Sequence, residues 1–328
     1  MPHPSTSSAY GIWSLNEVRD AVRGDNWPFF KFLDEIYATP GSYTYTVPEG
    51  TNRISVVAVG GGGGGDDGNS GDGGGGGGAG GALAFANSIP VAAGDNISVV
   101  VGAGGAAVSA KDVIAPSGTN STVTIGSYVL TAGGGNGGAP YSADPGAVPS
   151  TFSHSNTPAG VTTGGGAGGG GGAAFNGGGG GGGAGGYNGR GGNGSNSYLT
   201  SGDYTTGQDG LGNGAGGAGG AAQTAGAGNN GGGNGGAGQN DITGGGGGGA
   251  NLFSLSTTIQ DGSAGNGLTV ETSRGGAGGF PGGGGGGSFD SNTGFGSAGA
   301  GGAVRIIAYS GSPKEFPTGS TGSGTAEF

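Results

Sequence analysis

The sequence contains no cysteine, so neither disulfide bonds nor thiolate metal sites can hold the chain together. Basic residues are also scarce: nine Lys and Arg stand against 20 Asp and Glu, and the net charge is −11. This charge repels phosphate backbones and anionic headgroups, so nucleic acid is not an expected partner. The longest apolar run, ISVVAV at 54–59, is too short to cross a membrane, and no basic region followed by an apolar stretch marks a secretion signal. We therefore expect a soluble protein without membrane insertion.

Large apolar side chains are sparse as well, because glycine accounts for 99 of the 328 residues. The glycines occur in runs and not in the strict G-X-Y period of collagen, which excludes a triple helix. Too few apolar side chains remain for one large conventional core. The fold must therefore bury backbone as much as side chains.

Short segments with β-branched or alternating apolar residues predict strands. They are 42–47, 53–59, 82–86, 96–102, 121–125, 127–132 and 303–309. The tetrapeptide IGSY at 125–128 is typical of a hairpin turn. The last strand follows about 170 residues of mostly glycine and loop, and a lone strand needs a sheet, so we expect it to pair with the early strands. The predicted fold is mostly β: a small antiparallel β-sandwich over 41–132, completed by 303–310.

The remaining glycine forms ten dense runs. They are 60–65, 73–81, 133–138, 164–172, 177–186, 212–222, 226–238, 244–250, 275–287 and 294–302. A polyproline II chain has three residues per turn and directs its N–H and C=O groups outward, and without side chains such chains can bond to one another on all sides. We predict an inserted bundle of about ten polyglycine II helices, chiefly in 133–302 and joined by the runs at 60–65 and 73–81, with Ala, Asn and Ser on its outer surface. The alternative is a disordered low-complexity segment.

The N-terminal 40 residues predict one short helix at 14–24, where Ser14 and Glu17 form a capping box. An aromatic group surrounds it, made up of Trp13, Trp27, Phe29, Phe30 and Phe32. These side chains either form a local mini-core or dock onto another protein, since aromatic residues are enriched at interfaces. Residues 1–40 are therefore a candidate attachment segment, and 311–328 read as a C-terminal tail.

If the ten runs alternate in direction, the loops 66–72, 139–163, 187–211, 239–243 and 288–293 lie far from the sandwich, and 251–274 lies beside it. The two longest loops far from the sandwich carry aromatic, His and Arg side chains, which small recognition surfaces use. The candidate receptor-binding residues are Tyr141, Phe152, His154, Tyr187, Arg190, Tyr198 and Tyr204. The alternative is that these rings merely cap the glycine slab.

No pattern in the sequence predicts catalysis or a cofactor. G-x-G-x-x-G windows are inevitable at this glycine content, and no βαβ unit surrounds them. His154 lies near Ser153 and Asp144, but in a loop without a preorganised oxyanion site. The acidic turn DDGNSGD at 66–72 has the oxygen ligands that Ca²⁺ prefers, yet no calcium-loop spacing, so a solvated turn without metal is favoured.

Several segments resemble the glycine-rich domain of phage tail proteins, namely YTYTVPEGTNRISVVAVGGGGGG, NISVVVGAGG, STVTIGSYVLTAGGG and GAGGAVRIIAY. The run count is similar to that of the polyglycine-helix adhesins at the tail-fibre tips of T-even-like phages, and YGIWSLNEVRDAVRGDNWP resembles a segment of phage fibre and virion proteins. The resemblance implies a non-enzymatic virion protein, made in the host cytoplasm and released by lysis. Its implied partners are a second virion protein, held through the N-terminal segment, and a protein or glycan on the host surface. The short N-terminal region departs from the T-even pattern. Purely structural and ice-binding roles are the alternatives.

Overall fold

The structure is a computed structural model. It describes residues 33–68, 73–108, 112–140, 150–174, 177–197, 207–211, 215–216, 219, 225–229, 232–238, 243–252, 274–288, 295–311 and 313–317. Within these residues the chain forms strands and extended segments and no helix. The helix predicted at 14–24 lies outside the described residues.

In the part of the chain that the structure describes, ten strands form two antiparallel five-stranded sheets. In chain order they are β1 (Leu33–Tyr37), β2 (Gly41–Thr46), β3 (Arg53–Val59), β4 (Leu83–Pro90), β5 (Asn96–Val101), β6 (Ser121–Ile125), β7 (Tyr128–Ala132), β8 (Phe152–Ser155), β9 (Thr162–Gly166) and β10 (Ala303–Tyr309). Sheet A has the order β1-β10-β3-β4-β9, and sheet B has the order β2-β5-β6-β7-β8. All seven predicted strands are present, and Ile125 pairs with Tyr128 across the predicted hairpin turn.

The last strand joins the early sheet, as predicted. β10 lies between β1 and β3, with Ala303 opposite Val59 and Val304 opposite Tyr37. Three strands, β1, β8 and β9, are not predicted from the sequence. FSHS of β8 and TTGGG of β9 lack the apolar alternation that marks a strand. Their pairing with β7 and β4 is decided by tertiary contacts.

The central strands of sheet A, β10, β3 and β4, are buried on both faces, whereas sheet B has one buried face. Alternate residues of β3, including Ile54 and Val56, face the core between the sheets, where they meet Val99 and Leu130 of sheet B. The other residues of sheet A join a second core on its outer face, together with Leu252 and side chains of the glycine-rich segments. This explains why β3 and β10 are almost continuously apolar, while β5 alternates between buried and more exposed residues.

The glycine run after β3 is hydrogen-bonded on all sides by backbone. Its N–H groups, from residue 60 to residue 65, donate in turn to the carbonyl oxygens of Ala82, Thr119, Ala300, Ala79, Pro116 and Ser297. Every third N–H therefore reaches the same neighbouring segment. Its carbonyl oxygens accept from three further segments, through the N–H groups of Gly135, Gly105, Gly285 and Gly138. This repeat of three continues in 73–82 and 177–185.

These glycines are required by lack of space. A Cβ on Gly63 would lie 1.9 Å from the carbonyl oxygen of Asn136, and one on Gly77 would lie 2.1 Å from that of Gly180. The expectation that Ala within the runs lies on the outer surface is wrong for Ala79 and Ala184, which are fully buried.

The predicted run direction is wrong for 164–172 and for 177–186. Gly77 donates to Gly172 and Gly80 to Gly169, so 164–172 runs antiparallel to 73–82 and leads away from the sheets. Gly179 donates to Gly75 and Gly182 to Gly78, so 177–185 leads back toward them. Both directions are opposite to those expected, because β8 and β9 bring the chain back to the sheets once more.

A second departure lies in the run 275–287, which is two segments and not one. Gly283 donates to Gly279 and Gly286 donates to Gly276, so the chain reverses between them, at 280–282.

Candidate functional site

The strands and glycine segments define two ends of the molecule. We call the end at the strands the sheet end and the opposite end the far end. Backbone hydrogen bonds join several segments at the far end. Asp112 N–H donates to Gly68 O at 3.2 Å, Ser288 N–H donates to Asp66 O at 3.0 Å, and Gly275 N–H donates to Phe295 O at 3.0 Å. The described residues of the far end are 66–68, 73–75, 112–114, 139–140, 243, 274, 288 and 295.

The far end displays apolar and cationic groups to solvent. Val113 and Ile114 are 48% and 67% exposed, and they follow the outward segment 102–108. Arg274 is exposed, and its guanidinium lies 4.9 Å from the centre of the Phe295 ring, within range for a cation–π contact. Backbone bonds to the glycine segments hold these groups in place, so they are presented on a fixed support.

Beside this exposed surface lies a buried acidic corner, formed by Asp66 and Asp67, which are 0% and 2% exposed. Asp66 Oδ2 accepts a 2.9 Å hydrogen bond from the N–H of Gly68, and Ser288 Oγ lies 3.5 Å from Asp67 Oδ1. Burial raises the pKa of Asp66 to about 7. The expectation of a solvated turn is therefore wrong for these two residues, because the glycine segments pack around them.

Phe152 and His154 lie in β8 and not in a loop at the far end. Tyr128 Oη and His154 Nδ1 are 2.9 Å apart, and His154 Nε2 lies 3.2 Å from the carbonyl oxygen of Gly164 in β9. The ring thus bridges the open edges of the two sheets, and its burial lowers the pKa of His154. Phe152 packs edge-on against His154, with ring centres 5.9 Å apart. The predicted location of both residues is wrong.

Tyr187 and Arg190 lie near the sheet end. Tyr187 is buried on the outer face of sheet A, 5.4 Å from the Phe85 ring and 6.1 Å from the Phe316 ring, and burial raises the pKa of Tyr187. Arg190 is exposed, and its carbonyl accepts from the N–H of Leu211 at 3.0 Å. The predicted far loop 187–211 therefore begins and ends near the sheets, and Tyr187 fills a core.

The other predicted site residues lie outside the described residues. They are Tyr141, Tyr198 and Tyr204 of the receptor-binding group and Trp13, Trp27, Phe29, Phe30 and Phe32 of the attachment group. The structure therefore does not bring the seven predicted receptor-binding residues together at one described surface.

The exposed far-end residues are not predicted from the sequence, because the ten dense glycine runs leave out 102–120. One local signal was available: KDVIAP at 111–116 places two large apolar side chains between an aspartate and a proline, outside any predicted strand. Arg274 and Phe295 have no comparable signal, since their contact joins segments 21 residues apart.

Among the described residues, no group of three or more His or acidic side chains is close enough to hold a metal ion. Nor does any helix in the same residues have the length and apolar character needed to cross a bilayer.

Two comparisons with known proteins bear on identity. A search of curated proteins gives no match. The family model for a glycine-rich domain matches residues 38–325, which includes every strand from β2 to β10 and both ends of the glycine segments. The chain belongs to this glycine-rich domain family.

Proposed function

We propose that the glycine segments are polyglycine II helices and that they form a bundle continuous with the β-sandwich. The supporting observation is the repeat of three in the backbone hydrogen bonds, which matches three residues per turn. The segment 60–65 bonds to six neighbours, whereas a β-strand bonds to two. Close approaches of glycine Cα atoms to carbonyl oxygens on other segments are the geometry of Cα–H···O contacts.

Amide hydrogen exchange tests the bundle. We expect slow exchange at glycines of 60–65, 73–81 and 177–185, whose N–H groups are buried and bonded. Fast exchange at all these glycines, with protection confined to the strands, would contradict the bundle.

We propose that the protein is a non-enzymatic phage virion adhesin that recognises the host surface through the far end. The observation that carries the proposal is the exposed pair Val113 and Ile114, together with Arg274 over Phe295, on a support of bonded glycine segments. Exposed aromatic, apolar and Arg side chains on a rigid scaffold are typical of recognition surfaces, and a protein or glycan of the cell surface fits them.

The opposite end is suited to attachment in this proposal. β1 is an edge strand of sheet A and follows directly on the N-terminal segment, so that segment joins the body at the sheet end. We propose that it binds a second virion protein through Trp13, Trp27, Phe29, Phe30 and Phe32. A variant of the protein that lacks residues 1–32 should then fail to be incorporated into particles.

Adsorption of particles to host cells tests the adhesin. We expect the double variant Val113→Ser with Ile114→Ser to assemble normally and to adsorb at least tenfold more slowly. The matched control is Leu211→Ser, because Leu211 is about as exposed (64%) as Ile114 but lies near the sheet end. Equal adsorption by the wild type and the double variant would refute recognition by this pair.

A purely structural role in the virion is the second candidate, because Tyr187, one of the predicted contact residues, is a core residue. That role predicts unchanged adsorption in every far-end variant. An ice-binding role has one supporting feature, the exposed Ala103 and Ala106 three residues apart on an outer segment. Absence of thermal hysteresis in the purified protein would remove this third candidate.

A further inference from the structure

We infer that the acidic corner at Asp66 and Asp67 is a calcium site at the far end. Two adjacent acidic residues are buried there, and buried carboxylates are normally paired with a cation or hydrogen-bonded at every oxygen. This inference does not depend on the proposed adhesion.

One oxygen of the corner has no partner. Asp66 Oδ1 is buried and makes no hydrogen bond, although Oδ2 of the same carboxylate accepts one from Gly68. A buried polar oxygen left without a partner in a well-packed region points to an ion or water that completes it.

The charges around Asp66 also favour a cation. Asp67 and Asp112 both act on it as like charges. Asp112 is tied to the same corner, because its N–H donates to the carbonyl of Gly68. The ionised form of a buried carboxylate with two acidic neighbours needs a counter-charge.

Calcium fits this donor set better than other common ions. Ca²⁺ takes six to eight oxygen ligands from carboxylates, main-chain carbonyls and water in flexible geometry, whereas Mg²⁺ demands near-ideal octahedral geometry. The described donors here are all oxygens, with carboxylates of two adjacent residues and main-chain carbonyls beside them. Bound calcium would tie the segments that carry Asp66 and Ser288 at the far end.

Calorimetric titration of the full chain with calcium chloride tests the site. We expect one Ca²⁺ per chain, weaker binding of Mg²⁺, and at least a tenfold loss of Ca²⁺ affinity in Asp66→Asn. The matched control is Asp95→Asn, because Asp95 is an exposed carboxylate that accepts a backbone N–H in a turn at the sheet end. Its affinity for Ca²⁺ should equal that of the wild type.

Thermal unfolding supplies a second readout. Calcium should raise the midpoint of the wild type and of Asp95→Asn, EDTA should reverse the rise, and Asp66→Asn should show none. If Asp66→Asn does not fold, Asp67→Asn replaces it with the same expectations. No calcium binding by the wild type, or equal affinity in Asp66→Asn, would overturn the site and leave a neutral carboxyl at Asp66.

Discussion

Replacement of one central glycine by alanine gives a direct measure of how tightly the glycine segments pack. Gly180 lies in the buried segment 177–185, and a Cβ on it would lie 2.0 Å from the carbonyl oxygen of Gly219, where ordinary contact begins at 3.4 Å. One segment must therefore move by more than 1 Å. That movement disrupts the bonds from Gly180 N–H to Ser195 O (3.0 Å) and from Gly172 N–H to Gly180 O (2.8 Å).

The size of the effect follows from these contacts. Two lost hydrogen bonds cost about 1 kcal/mol each, and overpacking costs about 1 to 3 kcal/mol. Alanine restricts the unfolded chain and returns about 0.4 to 1 kcal/mol. We therefore expect Gly180→Ala to lower the free energy of unfolding by about 2 to 4 kcal/mol, and Gly180→Val to lower it further.

Urea denaturation measures this free energy, and Gly301→Ala is the matched control. A Cβ on Gly301 would meet its nearest neighbour, Pro40 Cγ, at 3.4 Å, and Gly301 does not adopt a positive φ. This variant should be as stable as the wild type or slightly more stable. If Gly180→Ala and Gly301→Ala unfold at the same urea concentration, the packing described for 177–185 is refuted.

Three further predictions concern the sheet end. Arg305 is buried and donates to the Asp34 carboxylate at 2.7 and 2.8 Å. Because Asp34→Ala removes this carboxylate from a buried cation, we expect the free energy of unfolding to fall by about 2 to 4 kcal/mol in urea denaturation. A loss as small as that of an exposed ion pair would contradict this. The Asn87 side-chain amide accepts a hydrogen bond from the N–H of Phe316 and donates one to its carbonyl, and so holds 313–317 on sheet A. Asn87→Ala should therefore speed tryptic cleavage after Lys314, measured by mass spectrometry. An unchanged cleavage rate would exclude this role of Asn87. Burial lowers the pKa of His154 in the folded state. The neutral ring therefore contributes to stability above its ordinary pKa of about 6.5, and this contribution is lost as the pH falls through the folded pKa. Unfolding measured as a function of pH should show the loss in the wild type and not in His154→Gln.

The far end could be only partly predicted from sequence. The sequence predicts an acidic turn at 66–72 but not the burial of Asp66, because that burial depends on segments such as 282–288 that are distant in the sequence. Only the structure identifies Val113 and Ile114 as candidate recognition residues, because it shows that their side chains are exposed. Conversely, Tyr187 had the residue type expected of a contact surface and proved to be a core residue.

What the sequence determined by itself is the set of central strands and the need for glycine between them. The β-branched alternation of 53–59 and 303–309 is a local pattern, so it predicts strands without knowledge of their partners. What only the tertiary structure decided is the direction of each glycine segment, the strands β8 and β9, and the burial of Asp66 and Tyr187. Glycine has no side chain to distinguish one face or one neighbour from another, so the direction of each segment follows from long-range backbone hydrogen bonds and from the turns at its ends.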